Sequence, residues 1–163
     1  MENKPKVSIL IISYNHEQYI AQTLDSVLMQ KTDFPFEIVI GDDASPDKTR
    51  NICEDYAQKY PHIIRVLPTP QNLGVVPNYI RTLAACRGQY IAHLDGDDYW
   101  IDDEKLQKQV NRLDADPNLT ICYTSRRIIR FIRNPVRDGI KTTPIIPINA
   151  AAGVTNRQIR VSI

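Results

Sequence analysis

With 163 residues, 42% apolar and 24% charged, the chain has the composition of one globular domain with a real core, and not of a disordered, collagenous or disulfide-built protein. Its formal charge of +1 conceals a division: residues 1–124 hold 12 Lys and Arg against 18 Asp and Glu, whereas residues 125–163 hold 8 against 1. No apolar run approaches the roughly 20 residues that span a bilayer. No secretory leader pattern opens the chain, and Cys53, Cys86 and Cys122 lack Cys-x-x-Cys spacing, so a cytoplasmic protein with reduced, buried thiols is expected.

Val7–Ser13 is too continuously apolar for a half-solvated strand and reads as a central parallel strand. Tyr19, Ile20, Leu24, Val27 and Leu28 then recur at helical spacing, up to a break at Phe34-Pro35. Glu37–Gly41 is a second buried strand. Ser45-Pro46 predicts a helix start, with the hydroxyl as N-cap and proline at the first helical position, and Ile52, Cys53, Tyr56 and Ala57 form its buried face. A short strand at Ile63–Leu67 and the turn-forming stretch from Thr69 to Gly74 precede a helix from Pro77 to Cys86, with Gly88 as its expected left-handed cap. Tyr90–Leu94 is a fourth strand. Asp102 and Asp103 stand where a helix dipole favours negative charge, Leu106, Val110 and Leu113 line the inner face of that helix, and Leu119–Tyr123 is a fifth strand. This alternation predicts an α/β fold: a mostly parallel, doubly wound sheet with helices on both faces.

Such sheets bind ligands beyond the carboxyl ends of their strands. Three of those ends are polar: Ser13-Tyr14-Asn15, Asp42-Asp43-Ala44-Ser45 and Asp95-Gly96-Asp97-Asp98. Carboxylates two residues apart, with a glycine to let the backbone turn, can aim at one point and share a hard divalent cation such as Mn or Mg. Without a cation, two such charges 4 Å apart repel by about 4 kcal/mol near a protein surface. Mg and Mn take few protein carboxylates and complete their shells with phosphate oxygens and water, which points to a diphosphate ligand. Asp43 admits two readings, as a partner of free backbone donors at a helix start or as an acceptor for a pyrimidine N–H. Tyr14 can stack on a base or simply pack. No Gly-x-Gly-x-x-Gly follows the first strand and no Walker-type loop is present. His16, His62 and His93 are too scattered to mark a zinc site, His93 reads as a packing residue, and Asn72 and Gly74 suit either a nucleotide contact or an ordinary turn.

The segments Val7–Asn15, Glu37–Ser45, Asn72-Leu73-Gly74 and Gly88–Asp98, in this order and spacing, resemble the family 2 glycosyltransferases of GT-A fold from about residue 5 to about residue 124. That resemblance implies transfer of a sugar from a nucleotide diphosphate donor, usually a UDP-sugar, to an acceptor hydroxyl with inversion, as in the building of cell-envelope polysaccharides. Carried over residue by residue, it implies that Ser13 and Tyr14 line the base pocket and that Asp43 binds the uracil edge with Asp42 beside it. Asp95 would lie near the ribose and the metal, and Asp97 would ligate the metal. The implied partners are the nucleotide-sugar donor and a saccharide or lipid-linked acceptor, which suits peripheral attachment to a membrane. The family's catalytic base lies on the acceptor side, and no residue here is assigned to it.

The expected organisation is therefore a nucleotide-sugar-binding domain at 1–124 and a basic, atypical tail at 125–163, read either as truncated, frame-shifted or otherwise substituted, or as the end of a divergent, short enzyme whose acceptor site comes from another subunit. The tail's charge suits an anionic partner, but it lacks the aromatic interleaving of a nucleic-acid site, and no nucleic acid is expected. The alternative to an active transferase is a fragment that binds nucleotide and metal without turnover. A receiver-type signalling domain also gathers acids at strand ends, but its phosphoacceptor Asp and later Lys find no counterpart.

Overall fold

Val7–Ser13 forms strand β1, and each of its residues except Ile12 is buried, as befits a strand covered on both faces and flanked on both edges. The computed structural model describes residues 4–125 and 160–162. After β1 come α1 (Ile20–Leu28), β2 (Phe36–Asp42), α2 (Thr49–Lys59), β3 (Ile64–Val66) and α3 (Val75–Ala85). β4 (Tyr90–Asp95), α4 (Lys105–Ala115), β5 (Ile121–Cys122) and β6 (Arg160–Ser162) follow. These elements belong to one compact unit, Met1–Tyr123 with Ile159–Ile163.

The strands form a six-stranded sheet in the order β3-β2-β1-β4-β6-β5, every pairing parallel. Side chains alternate across a strand, and here the alternation assigns the layers. Val7, Ile9 and Ile11 of β1, Ile38 and Ile40 of β2, and Tyr90, Ala92 and Leu94 of β4 join one core with Ile20, Leu24 and Val27 of α1, Cys53 of α2, and Leu106, Val110 and Leu113 of α4. Full burial of an Ile or Leu contributes roughly 1.5–3 kcal/mol. The opposite set faces α3: a Cβ on Gly41 would meet Thr82 Oγ1 at 2.0 Å, and the His93 ring packs edge-on to Tyr79 with centroids 5.4 Å apart. Helices cover both faces, as the sequence predicts.

Three local expectations are corrected. α2 begins at Thr49 and not at Ser45-Pro46: the Ser45 hydroxyl bonds the Asp42 carboxylate, and Asp47 Oδ1 accepts the Thr49 N–H at 2.9 Å. Gly88 is not a left-handed cap. Its missing side chain lets the chain entering β4 pass β1, where a Cβ would lie 2.4 Å from the Ser8 nitrogen. Of the three thiols, only Cys53 is fully buried; Cys86 and Cys122 are half-buried, and all three are free. Burial pushes the Cys53 thiol up to about 12 and that of Cys86 up to about 11. The atypical tail assigned to 125–163 falls outside the described residues, apart from Ser125 and β6.

Candidate functional site

β2 and β3 lie on one side of β1 and β4 on the other, so the chains leaving β1 and β4 diverge and open a crevice at their carboxyl ends. A cavity of about 330 Å³ sits there, lined by Ser13, Tyr14 and His16 after β1, Asp43 after β2, and Asp95 and Asp97 after β4. Asn72, Gly74 and Asn78 close the α3 side. A larger groove of about 450 Å³ runs beside α2 and β3, but Arg50 and Glu54 in its wall pair with each other at 2.8 Å and no set of polar groups converges in it. The strand-end cavity is therefore the candidate site.

The loops around it are tied to one another. The Asn15 N–H donates to Ser45 Oγ at 3.0 Å, the His16 N–H to Thr49 Oγ1 at 2.8 Å, and the Glu17 N–H to Asp47 Oδ2 at 3.0 Å. Asn15 and Ala44, each two residues beyond a strand end, hold positive φ of 61° and 56°. Asparagine tolerates that region, whereas for alanine it costs roughly 1–2 kcal/mol. The fold absorbs this strain where it forms the site.

Asp42 and Asp43, adjacent in sequence, part company in space. Alternation turns Asp42 to the face of Ile38 and Ile40, where it is fully buried and its carboxylate holds Ser45, through hydroxyl and N–H, with Arg50 Nη1 at 3.9 Å. It supports the loop from behind and does not line the cavity. Asp43 turns to the α3 face and braces the other wall, accepting the Leu73 N–H at 2.8 Å and the Gly74 N–H at 2.9 Å. Each of its oxygens keeps a further lone pair for a ligand N–H. Gly74, at φ 85° and ψ 160°, occupies a conformation that is essentially glycine's alone. Asn72 and Gly74 both line the cavity, and Asn72 Nδ2 also donates to the Asp43 carbonyl at 3.0 Å.

Asp95 ends β4 and Asp97 follows it in a turn closed by the Asp98 N–H donating to the Asp95 carbonyl at 3.0 Å. Gly96 between them lets the turn press on β1: a Cβ there would lie 2.7 Å from Ser13 Oγ and 2.8 Å from His16 Nδ1. The side chains of Asp95 and Asp97 are about half exposed to the cavity, at 47% and 51%. His93 does pack on Tyr79, as expected, and its Nε2 also lies 3.2 Å from Asp95 Oδ1 without a hydrogen bond between them. Burial raises the Tyr79 hydroxyl above its ordinary value, so it stays protonated. Among the described residues, no three or more His, Cys, Asp or Glu converge on a metal-sized point. Two exposed carboxylates on one turn make no closed cage, but they fit a hard cation that completes its shell with phosphate and water.

His16, like Asn78, lines this cavity without belonging to the polar strand-end motifs of the sequence that suggest a ligand. Its ring lies between Ser13 Oγ, 3.4 Å from Nδ1, and Asp97 Oδ2, 4.0 Å from Nε2. The one hint in the sequence is its position three residues past the end of β1.

Comparison with known proteins agrees with this fold. The glycosyl transferase family 2 model matches residues 8–153, beyond the point near residue 124 to which the sequence motifs extend. An uncharacterized protein of Mycobacterium tuberculosis is 43% identical over 143 residues, which cover 88% of this chain and 40% of that protein. TuaG of Bacillus subtilis, named for teichuronic acid biosynthesis, is 40% identical over 107 residues, covering 66% of this chain and 41% of TuaG. Among solved structures, TarS of S. aureus in complex with UDP superposes with a TM-score of 0.62 and 29% identity, over 77% of this chain and 38% of that one. The mannosyltransferase PcManGT of Pyrobaculum calidifontis, in complex with GDP-Man and Mn2+, gives 0.66 and 25%, over 76% and 36%. The chain spans about two-fifths of the length of these relatives.

Proposed function

The chain belongs to glycosyl transferase family 2, and on that premise we propose that it holds the donor of a glycosyl transfer: a nucleotide diphosphate sugar, UDP-linked, bound with Mn or Mg. The observation that carries this reading is the meeting of Tyr14, Asp43, Asp95 and Asp97 around one cavity at the β1/β4 crevice. Tyr14, 49% exposed, offers its ring to stack on the base, and Asp43 the acceptor for the pyrimidine N–H, with Ser13 beside them and Asp42 holding the loop from behind. Asp97 would hold the cation with Asp95, Asp95 also facing the ribose. When bound, the cation neutralises charge on the diphosphate as it leaves. The chain's own residues grip the base, fix the diphosphate beside Asp97 and expose the sugar toward the acceptor. In-line attack by an acceptor hydroxyl, with inversion, completes the proposal; its general base is assigned to none of the described residues.

A saccharide or lipid-linked acceptor of the cell envelope is supported by the likeness to TuaG. Among the described residues, no helix is long and apolar enough to cross a membrane. Free thiols support a cytoplasmic location. A second reading is donor binding without turnover, since the cavity offers a donor site while no general base is assigned among the described residues. Release of free sugar from UDP-sugars by the purified chain separates the two, since only the first requires bond cleavage.

Thermal unfolding with UDP, with and without Mn, tests donor binding. Ligand at about 100 times its dissociation constant stabilises by roughly 2.7 kcal/mol. Asp97→Ala should abolish the metal-dependent part of that gain. Metal-dependent stabilisation of undiminished size in Asp97→Ala would remove Asp97 from the metal site.

A further inference from the structure

The described cavity wall carries three carboxylates, Asp43, Asp95 and Asp97, and neither Lys nor Arg. A diphosphate entering it needs donors to offset them. The amides of Asn72 and Asn78 each already give a hydrogen to backbone, to the Asp43 carbonyl at 3.0 Å and the Gly41 carbonyl at 2.7 Å. His16 is the one wall residue with a ring N–H, and the fold has made room for it. Its backbone is anchored by its N–H on Thr49 Oγ1 at 2.8 Å and by its carbonyl, which accepts the N–H groups of Tyr19 and Ile20, both at 2.9 Å. The side chain that Gly96 lacks would collide with the ring at Nδ1. The Ser13 hydroxyl stands 3.4 Å from Nδ1, and with that hydroxyl as donor the imidazole proton is placed on Nε2. Nε2, 4.0 Å from Asp97 Oδ2, is beyond hydrogen-bond distance of that oxygen.

We propose that His16 is a diphosphate-binding residue, donating from Nε2–H to a phosphate oxygen of the donor beside Asp97, with Ser13 fixing its tautomer. This rests on the donor reading above and adds to it a protein-borne contact to the leaving group. The same bond holds the diphosphate in the nucleotide-sugar and in the released nucleotide. Its action is to select diphosphates over the bare nucleoside.

The test compares UDP and uridine binding to the full chain in Mn, by calorimetry for UDP and ligand-observed NMR for uridine. Two variants split the ring from its N–H: His16→Phe keeps a planar ring without a donor, and His16→Gln keeps an amide donor without the ring. A hydrogen bond to a charged group is worth roughly ten- to a hundredfold in affinity. His16→Phe should lose at least about tenfold for UDP and leave uridine unchanged, and His16→Gln should bind UDP within a few-fold of the parent. Equal losses for UDP and uridine, unchanged UDP binding in His16→Phe, or loss of UDP binding in both variants alike would overturn the proposal. Should His16→Phe fail to fold, His16→Gln decides: retained preference for UDP over uridine supports the contact, and a lost preference refutes it. If the unsubstituted chain shows no Mn-dependent UDP binding, the donor reading itself fails, and the two failures are told apart.

Discussion

Lys105 carries its ammonium into the core side of α4, where it donates to Gln109 Oε1 at 2.7 Å and lies 4.4 Å from the centroid of the Trp100 ring. Desolvation lowers it to about 8, against the pull of Cys122 and Asp102 toward the charged form. The unfolded chain keeps the ordinary value near 10.4. Below pH 8 both states bind the proton and folding carries the full cost of the buried charge, on the order of 3 kcal/mol. Between pH 8 and about 10.4 the unfolded state binds more protons, so stability contributed through Lys105 rises with pH and then levels off. The thiols of Cys53 and Cys86 act in the opposite sense, since the folded chain retains protons that the unfolded chain releases from about pH 8.5. They are common to both proteins when Lys105→Met is compared with the parent. Denaturant unfolding of the two from pH 7 to 10.5 should therefore show the parent gaining on the variant by about 2–3 kcal/mol, whatever offset the lost Gln109 bond and Trp100 contact introduce. A gap that does not change with pH would show that Lys105 titrates near its ordinary value in the fold.

At the scale of elements, the site depends on how closely α3 lies on the sheet. Asn78 Nδ2 donates to the Gly41 carbonyl at 2.7 Å, and Gly41 has no room for a methyl group beneath Thr82. Gly41→Ala should cost roughly 1–3 kcal/mol by overpacking. It should also weaken nucleotide binding, because the first turn of α3 carries Val75 and Asn78 into the cavity. Thr82→Ala removes the atom nearest the new Cβ, so the double variant should be more stable than the sum of the single losses predicts, with a coupling of about 0.5–3 kcal/mol. Additive unfolding energies would mean that β2 yields and α3 does not. The same closeness explains what the sequence left illegible. Continuous apolarity placed β1, and helical spacing placed α1 and α4, because both patterns record burial directly. The start of α2 is not legible in one dimension because Ser45 and Pro46 also suit the loop that Asp42 holds. Gly88 is ambiguous because a glycine needed for close approach to Ser8 looks, in one dimension, like a cap.

For the whole molecule, the acids at strand ends could be listed from sequence, but which of them meet is decided by strand order and pleat. Placing β1 between β2 and β4 brings Tyr14, Asp43 and Asp97 to one crevice, and alternation separates Asp42 from Asp43. His16 and Asp97 are 81 positions apart, and only the β1/β4 pairing, with Ile12 opposite Asp95, brings them together. In this wall of three carboxylates, nucleotide and cation should each bind weakly alone. On the proposed donor reading, a diphosphate would face Asp95 and Asp97 unscreened without the cation, and the cation without the diphosphate would have, among the described residues, Asp95 and Asp97 as its protein ligands. Their binding would then be strongly coupled, and coupling is reciprocal: the factor by which Mn tightens UDP equals the factor by which UDP tightens Mn. Couplings of this kind are typically 1–3 kcal/mol, about 5- to 150-fold. Calorimetric titration of UDP with and without saturating Mn, and of Mn with and without saturating UDP, should return one factor in that range. Asp97→Ala should bring both factors toward one, while leaving uridine affinity unchanged. Two factors that disagree beyond error would mean that Mn also binds elsewhere on the chain. A factor near one in the parent would mean that the diphosphate is held by protein donors, and the weight would then pass from Asp97 to His16.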